Sequence, residues 1–377
     1  MTQHKDSIDF GLTDNDWMAL GAPMAHRLNE KVMNRLHKLE ERSDETDPQV
    51  LALPHPQRTK YMRHLEIQEI IYGEDWPAMR EVIANTNLPL VDTVHKLADI
   101  SRTFKMMYRA MLHDPSGINA GSLGGTILAL RHQISHGAMF QTTDELDDML
   151  ANTDIADDIP IGMIKAPFPA CYFEFGEHRS SPLKVWNETT GNHIAEGCYL
   201  FEYQIDNFRG TPAPMHRHLL LIQTGSPKAS IGDDAIQLFT IPILDEGASI
   251  NETIDEYIRI HKDEVLEAQA EDPGTLIKQA RDEMFEQAKV FLKHILKIIL
   301  YLSTDDHTQR RVTEGTDGLK ALAAIKSTAK RAKAERKLDK AYDRIVLGAK
   351  KSPSSDGIKS DPTGRKISKV FWRRGHF

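Results

Sequence analysis

Along the first 160 residues apolar side chains recur at three- and four-residue steps, the spacing that puts them on one face of a helix. Leu20, Met24, Leu28, Val32, Leu36 and Leu39 mark one such helix over Trp17 to Leu39. Met62 to Ala84 carries another, with interruptions expected at Gly73 and Pro77. Leu90 to Leu112 gives a third, ended by Asp114-Pro115, and Ser122 to Phe140 a fourth. From Ala170 the period shortens to two. Ala170 to Phe175, Tyr199 to Tyr203, His218 to Gln223 and Ile236 to Ile243 are aromatic, strand-favouring runs separated by turn residues. No link between them reads as a crossover helix, so about five strands in a mostly antiparallel sheet are expected. Helices resume at Ile254 to Ala270 and Leu276 to Leu302. In the latter Phe285, Ala288, Leu292, Ile295, Ile299 and Leu302 form a stripe, and Val290, Phe291, Ile298 and Leu300 cover the other sides, which predicts a helix buried on most faces against the sheet. Leu319 to Leu347 has helical composition with little to bury. The fold class is therefore α+β, with a helical domain over 1–158, a mostly antiparallel sheet packed on long helices over 159–318, and a basic helix with a partly disordered tail over 319–377.

Charge sharpens this division. The net charge is −8 over 377 residues, yet from Lys320 onward there are 17 Lys/Arg against 5 Asp/Glu. The preceding residues hold the remaining 30 against 50, so a basic arm is attached to an acidic body. Thr142 to Asp158 alone contains seven acids and no Lys or Arg, and its polarity reads as a domain boundary. Such an arm suits phosphate backbones, because each neutralised phosphate releases condensed counterions; the plain alternative is an arm docked on its own acidic body. Only Cys171 and Cys198 occur, too few for a disulfide framework. Met1 to Asp6 lacks the order of a signal peptide, and Val290 to Leu302 is too short and too interrupted to span a bilayer, so a cytoplasmic protein without membrane contact is expected.

Candidate chemistry is sparse. The basic arm supplies the nucleic-acid candidates Lys330, Arg331, Lys333, Arg336, Lys337, Arg365, Lys366 and Lys369, and the terminal string adds Trp372, Arg373, Arg374 and His376. Paired guanidinium groups grip phosphate, and flanking aromatics offer stacking faces to unpaired bases, which favours RNA. His216 and His218 project from one side of a strand and form a weak metal pair, the alternative basis for a metal-dependent nuclease or hydrolase together with a glutamate such as Glu202. The bland reading is a polar strand edge. Gly121 to Thr126 opens a helix without the lysine or strand context of a nucleotide loop, and His132 with His136 lacks the glutamate of a metalloprotease helix. Glu174 and Glu202 sit in aromatic strands, on the solvated face by alternation, and the cysteines read as core residues. No serine or cysteine elbow is present, no cofactor is implied, and a non-enzymatic protein is the expectation, a purely structural interaction protein being the third reading.

Five segments in order carry a resemblance: Pro169 to Glu174, Gly197 to Glu202, Ile298 to Ser303, Arg344 to Gly348, and Arg373-Arg374-Gly375-His376 before an aromatic. Over Ile161 to Phe377 the chain resembles a family of phage, plasmid and integrative-element proteins that includes a type V-A anti-CRISPR member. The resemblance implies a translation-linked regulator that recognises a nascent N-terminus on ribosomes and lowers the effector's messenger RNA. Its partners would be RNA or a ribosome and a nascent peptide or other protein target. In the family the Arg-Arg-Gly-His string leads into a further basic, tryptophan-containing strand, so the end at Phe377 implies a truncated terminal module.

Overall fold

Why the helices stop where they do is visible in their caps. The computed structural model describes residues 46–112, 118–176, 183–187, 190–208, 211–230, 235–271, 278–304, 307–338, 340–348 and 370–371. The helix expected over Trp17 to Leu39 lies outside them. Two compact units result, one of residues 1–136 with 229–232 and the other of the remainder.

The first unit is helical: α1 (Pro48–Leu51), α2 (His55–Tyr61), α3 (His64–Tyr72), α4 (Trp76–Ala84), α5 (Leu90–Ile100), α6 (Arg102–Leu112) and α7 (Ile118–Ile134). Asp47 caps α1 through Gln49 N–H, with Pro48 in the first turn, where a missing donor costs nothing. Gly73 at φ 56° ends α3 and Pro77 starts α4, as their chemistry demands. The run Leu90 to Leu112 is two helices, because Ser101 turns extended and its hydroxyl donates to Asp75 at 2.8 Å. Tyr72, Trp76, Met79, Ile83, Leu97, Phe104, Ile127 and Leu130 form the core. Arg131 is fully buried there, donating to the carbonyls of Ile83 at 3.0 Å and Leu88 at 2.9 Å, which satisfies its guanidinium. The glycine-rich segment expected to open a helix lies inside α7. A Cβ on Gly124 would meet Leu90 Cδ2 at 3.3 Å, so this glycine serves close helix packing, with its N–H groups committed to the helix ladder.

The second unit is built on a mixed sheet of eight strands: β1 (Ala138–Thr142), β3 (Ala170–Glu174), β4 (Lys184–Asn187), β5 (Gly191–Phe208), β6 (Thr211–Gly225), β7 (Ile236–Ile243), β8 (Gln309–Thr313) and β9 (Asp343–Leu347), in the order β7-β6-β5-β3-β1-β9-β8 with β4 on β5. The ladders are antiparallel except that β1 runs parallel to both β3 and β9. Beside β4 and β8, which match none of the expected runs, two strands stand where helix was expected. Ala138 to Thr142 ends the stretch read as helix, and Arg344 to Leu347 ends the run read as one long basic helix. That run is α11 (Glu314–Ala323), α12 (Thr328–Leu338) and then β9. The β-branched pair Ile345-Val346 finds more to pack against between β1 and β8 than on a solvated helix.

Alternation assigns the faces. Phe140, Cys171, Phe173, Phe175, Cys198, Leu200, Leu219, Leu221, Phe239, Ile241 and Leu347 point to one side, where α8 (Asp144–Ala151), α9 (Ile250–Glu271) and α10 (Lys278–Leu302) cover them. Phe291, Leu292, Ile295, Leu296 and Ile298 of α10 have no exposure at all, while Val290, expected to be covered, is 55% exposed. The acidic segment forms α8, with Leu146 and Leu150 in this core. Thr143 caps it through Leu146 N–H, and Asp144, Glu145 and Asp147 stand in its first turn, where the helix dipole favours them. Lys297 reaches from α10 to the carbonyl of Leu150 at 2.7 Å, serving the far end of the same helix. The opposite face is also buried: Met139, Tyr172, Tyr199, Phe201, Leu220, Ile222 and Val346 are at most 7% exposed. Gly197 is required where β3 and β5 meet, since a Cβ there would lie 2.4 Å from both Phe173 O and Tyr172 Oη. A separate ladder pairs β10 (Val370–Phe371) with β2 (Thr153–Asp154) in parallel.

Candidate functional site

The basic candidates emerge from an excursion between two neighbouring strands. Thr313 ends β8 and registers with Asp343, which starts β9; α11 and α12 lie between them in sequence. Asp343 receives Thr316 N–H at 3.0 Å and the Thr316 hydroxyl, closing the first turn of α11. Burial alone would raise its pKa, but these bonds outweigh that and hold it below the usual carboxylate range. Leu338 of α12 packs over Gly318 of α11, where a Cβ would lie 2.6 Å from Leu338 Cδ1.

On α12, Lys330, Arg331, Lys333 and Lys337 are all exposed. Arg331 pairs within the helix with Glu335 at 3.1 Å. Lys330, Lys333 and Lys337 make no ion pair among the described residues. At steps of three and four they occupy one ridge. The side chain of Arg336 lies outside the described residues, as do Arg365, Lys366, Lys369, Trp372, Arg373, Arg374 and His376. Between these last, the backbone of Val370 and Phe371 registers with Thr153 and Asp154, inside the acid-rich segment.

His216 and His218 do share a face, with ring centroids 4.8 Å apart, and Tyr203 stacks on His218 at 5.8 Å. Burial, and secondarily the His216 charge, lowers His218 to about 4, which keeps it a neutral ring at neutral pH. Among the described residues no group of three His, Cys, Asp or Glu is placed to hold a metal. Arg217 between them points to the opposite face and organises it. Its side chain is 9% exposed, with Nε donating to Glu246 at 2.8 Å and Nη1 donating to Glu202 and to Ile164 O at 2.9 Å each. Glu202 in turn accepts Ala166 N–H at 2.8 Å, so one arginine fastens the Pro160 to Phe168 loop and the segment after β7 to the sheet.

Glu174 and Glu202 therefore lie on opposite faces and share no cleft. Glu174, expected on a solvated face, is 5% exposed and accepts the Tyr342 hydroxyl at 2.9 Å. The Arg344 guanidinium sits 4.8 Å over the Tyr342 ring and donates to Gln141 at 2.9 Å and Glu314 at 3.0 Å. This polar chain crosses β3, β1, β9 and α11. Gln141 and Tyr342 were not candidates from the sequence; the signal available was Arg344 beside the apolar run Ile345 to Leu347. Both cysteines are buried, and burial pushes Cys171 up to about 12 and Cys198 well above the ordinary thiol value, so neither is a ready nucleophile. A cleft of about 450 Å³ in the helical unit is lined by Glu69, Trp76, Arg80, Glu81 and Ile134 and gathers no nucleophile or histidine.

The described polar clusters so far are held internally, while the lysine ridge is open. The anti-CRISPR type V subtype A2 family, AcrVA2-like, matches residues 140–377, well over half of the sequence and the sheet from the middle of β1 onward. The chain belongs to the AcrVA2-like family. Among solved structures it is similar to one titled "Crystal structure of AcrVA2", at 12% identity and a TM-score of 0.41, covering 66% of this chain and 71% of that one. No curated protein matches. Four of the five segments that carried the resemblance fall on β3, β5, the end of α10 and β9 of this AcrVA2-like sheet. Among the described residues no helix is long and apolar enough to cross a membrane.

Proposed function

We propose that the chain is a non-enzymatic, anti-CRISPR-type regulator carried by mobile elements. It binds RNA or translating ribosomes through the basic residues from Lys320 to Phe377 and a protein or nascent peptide through the sheet unit, lowering the messenger of a CRISPR effector. Family membership supports the anti-CRISPR class. The observation that carries the RNA reading is the ridge of Lys330, Lys333 and Lys337, exposed and without ion pairs among the described residues on a protein whose net charge is −8. A basic arm neutralised by its own acidic body would instead show these ammonium groups against carboxylates.

The test is crosslinking of the full chain in growing cells, followed by sequencing of attached RNA. A variant with Arg365, Lys366, Lys369, Arg373 and Arg374 all changed to Gln is run alongside. The reading expects RNA recovery by the parent chain, reduced in the variant. Recovery no greater than from an acidic protein of similar size overturns it. Truncation at residue 319 is the wrong instrument, because it removes β9 from the sheet.

A further inference from the structure

The region from Gln309 to Gly348 holds a single aromatic residue, Tyr342, and its hydroxyl is bonded to Glu174 while its ring lies under Arg344. Single-strand binders depend on aromatic faces on which bases stack. None is offered by α12. What α12 offers is charge at fixed spacing: Lys330, Lys333 and Lys337 lie within about 10 Å along the axis at 1.5 Å per residue. Double-stranded DNA presents one phosphate per ~1.7 Å of axis, twice the density of either strand alone, and pairing concentrates the phosphates of RNA in the same way. Of the residues between them, Arg331 is paired with Glu335 and Ala334 is half-buried, so neither side chain competes with the lysines for phosphate.

Resting on the RNA reading above, we infer that α12 binds the phosphate backbone of base-paired RNA, recognising the helix by charge and shape and not by base sequence. A-form duplexes suit this mode, because proteins read them chiefly through phosphates and 2′-hydroxyls. The remaining cations of the arm can then meet other parts of the transcript independently of α12.

The experiment measures binding of the full chain to a 20-base-pair RNA duplex, to one of its strands alone and to polyglutamate, across a salt series. The parent is compared with the triple variants Lys330→Gln/Lys333→Gln/Lys337→Gln and Lys330→Arg/Lys333→Arg/Lys337→Arg. Three lost contacts reduce the slope of log affinity against log salt on the duplex by ~2.7, at roughly 0.9 per phosphate. The glutamine variant is expected to show that loss and the arginine variant to retain the slope. All three side chains are exposed, and thermal melting verifies that the fold survives. A chain that binds neither RNA form overturns the RNA reading itself. Binding with an unchanged slope in the glutamine variant, a ~10-fold preference for the single strand, or equal affinity for polyglutamate leaves that reading standing and overturns the duplex assignment.

Discussion

Replacing Arg217 by methionine keeps most of its volume and removes all of its donors. Glu202, with a side chain 23% exposed, then keeps Ala166 N–H and loses its counter-charge, and Ile164 O loses a donor. Removing one partner of a buried pair costs about 3–5 kcal/mol. The partial exposure of Glu202 places this case at the lower end, and the orphaned carbonyl adds about 1 kcal/mol. A loss of about 3–4 kcal/mol is expected, read as a fall in the urea midpoint with the slope unchanged. Glu246, 60% exposed, is the weak arm of the clamp, and Glu246→Gln should cost under about 1 kcal/mol. The double variant Arg217→Met/Glu202→Gln should be more stable than Arg217→Met alone, since it no longer buries an unpaired charge. If Arg217→Met costs less than about 1 kcal/mol, or Glu246→Gln costs as much as Arg217→Met, the clamp is not what fastens these loops.

Other outcomes follow from the same geometry. His218 titrates at about 4 in the folded protein, below its ordinary value, so as the pH falls the unfolded chain takes the proton first. Its contribution to stability is complete above pH ~6.5 and erodes toward pH 4, by at most ~3 kcal/mol, and His218→Gln should flatten the pH dependence of the urea midpoint over that window. A rise in stability on acidification there would refute the neutral buried ring. Gly197→Ala should cost about 3 kcal/mol or more, because its methyl meets a backbone oxygen that cannot turn aside; a change under about 1 kcal/mol in chemical denaturation would show that the strands part easily.

Alternation carried much of the sheet. Cys171, Phe173 and Phe175 lie opposite Tyr172 and Glu174, as the sequence pattern requires, and the stripe of Ala288, Leu292, Ile295 and Ile299 does pack on the core. What alternation cannot reveal is whether the second face is also covered, and the expectation of a solvated Glu174 fails for that reason. Short strands were lost for another reason. Ala138 to Thr142 is five residues at the end of a helical run, and its partners Cys171 and Leu347 are distant in sequence. A local window carries no trace of a pairing between Gln141 and Val346. Arg217 carries no candidate role in the sequence reading, although the rule that puts both histidine rings on one face puts the guanidinium between them on the other.

Thr313 and Asp343 face each other across one rung, yet twenty-nine residues separate them in the chain. The two helices, the second of them cationic, are thus a cassette whose entry and exit share a doorway. Lengthening or shrinking it beyond the first turn of α11 spares the bonds that Asp343 and Arg344 make to Thr316 and Glu314, so the doorway stays shut whatever hangs from it.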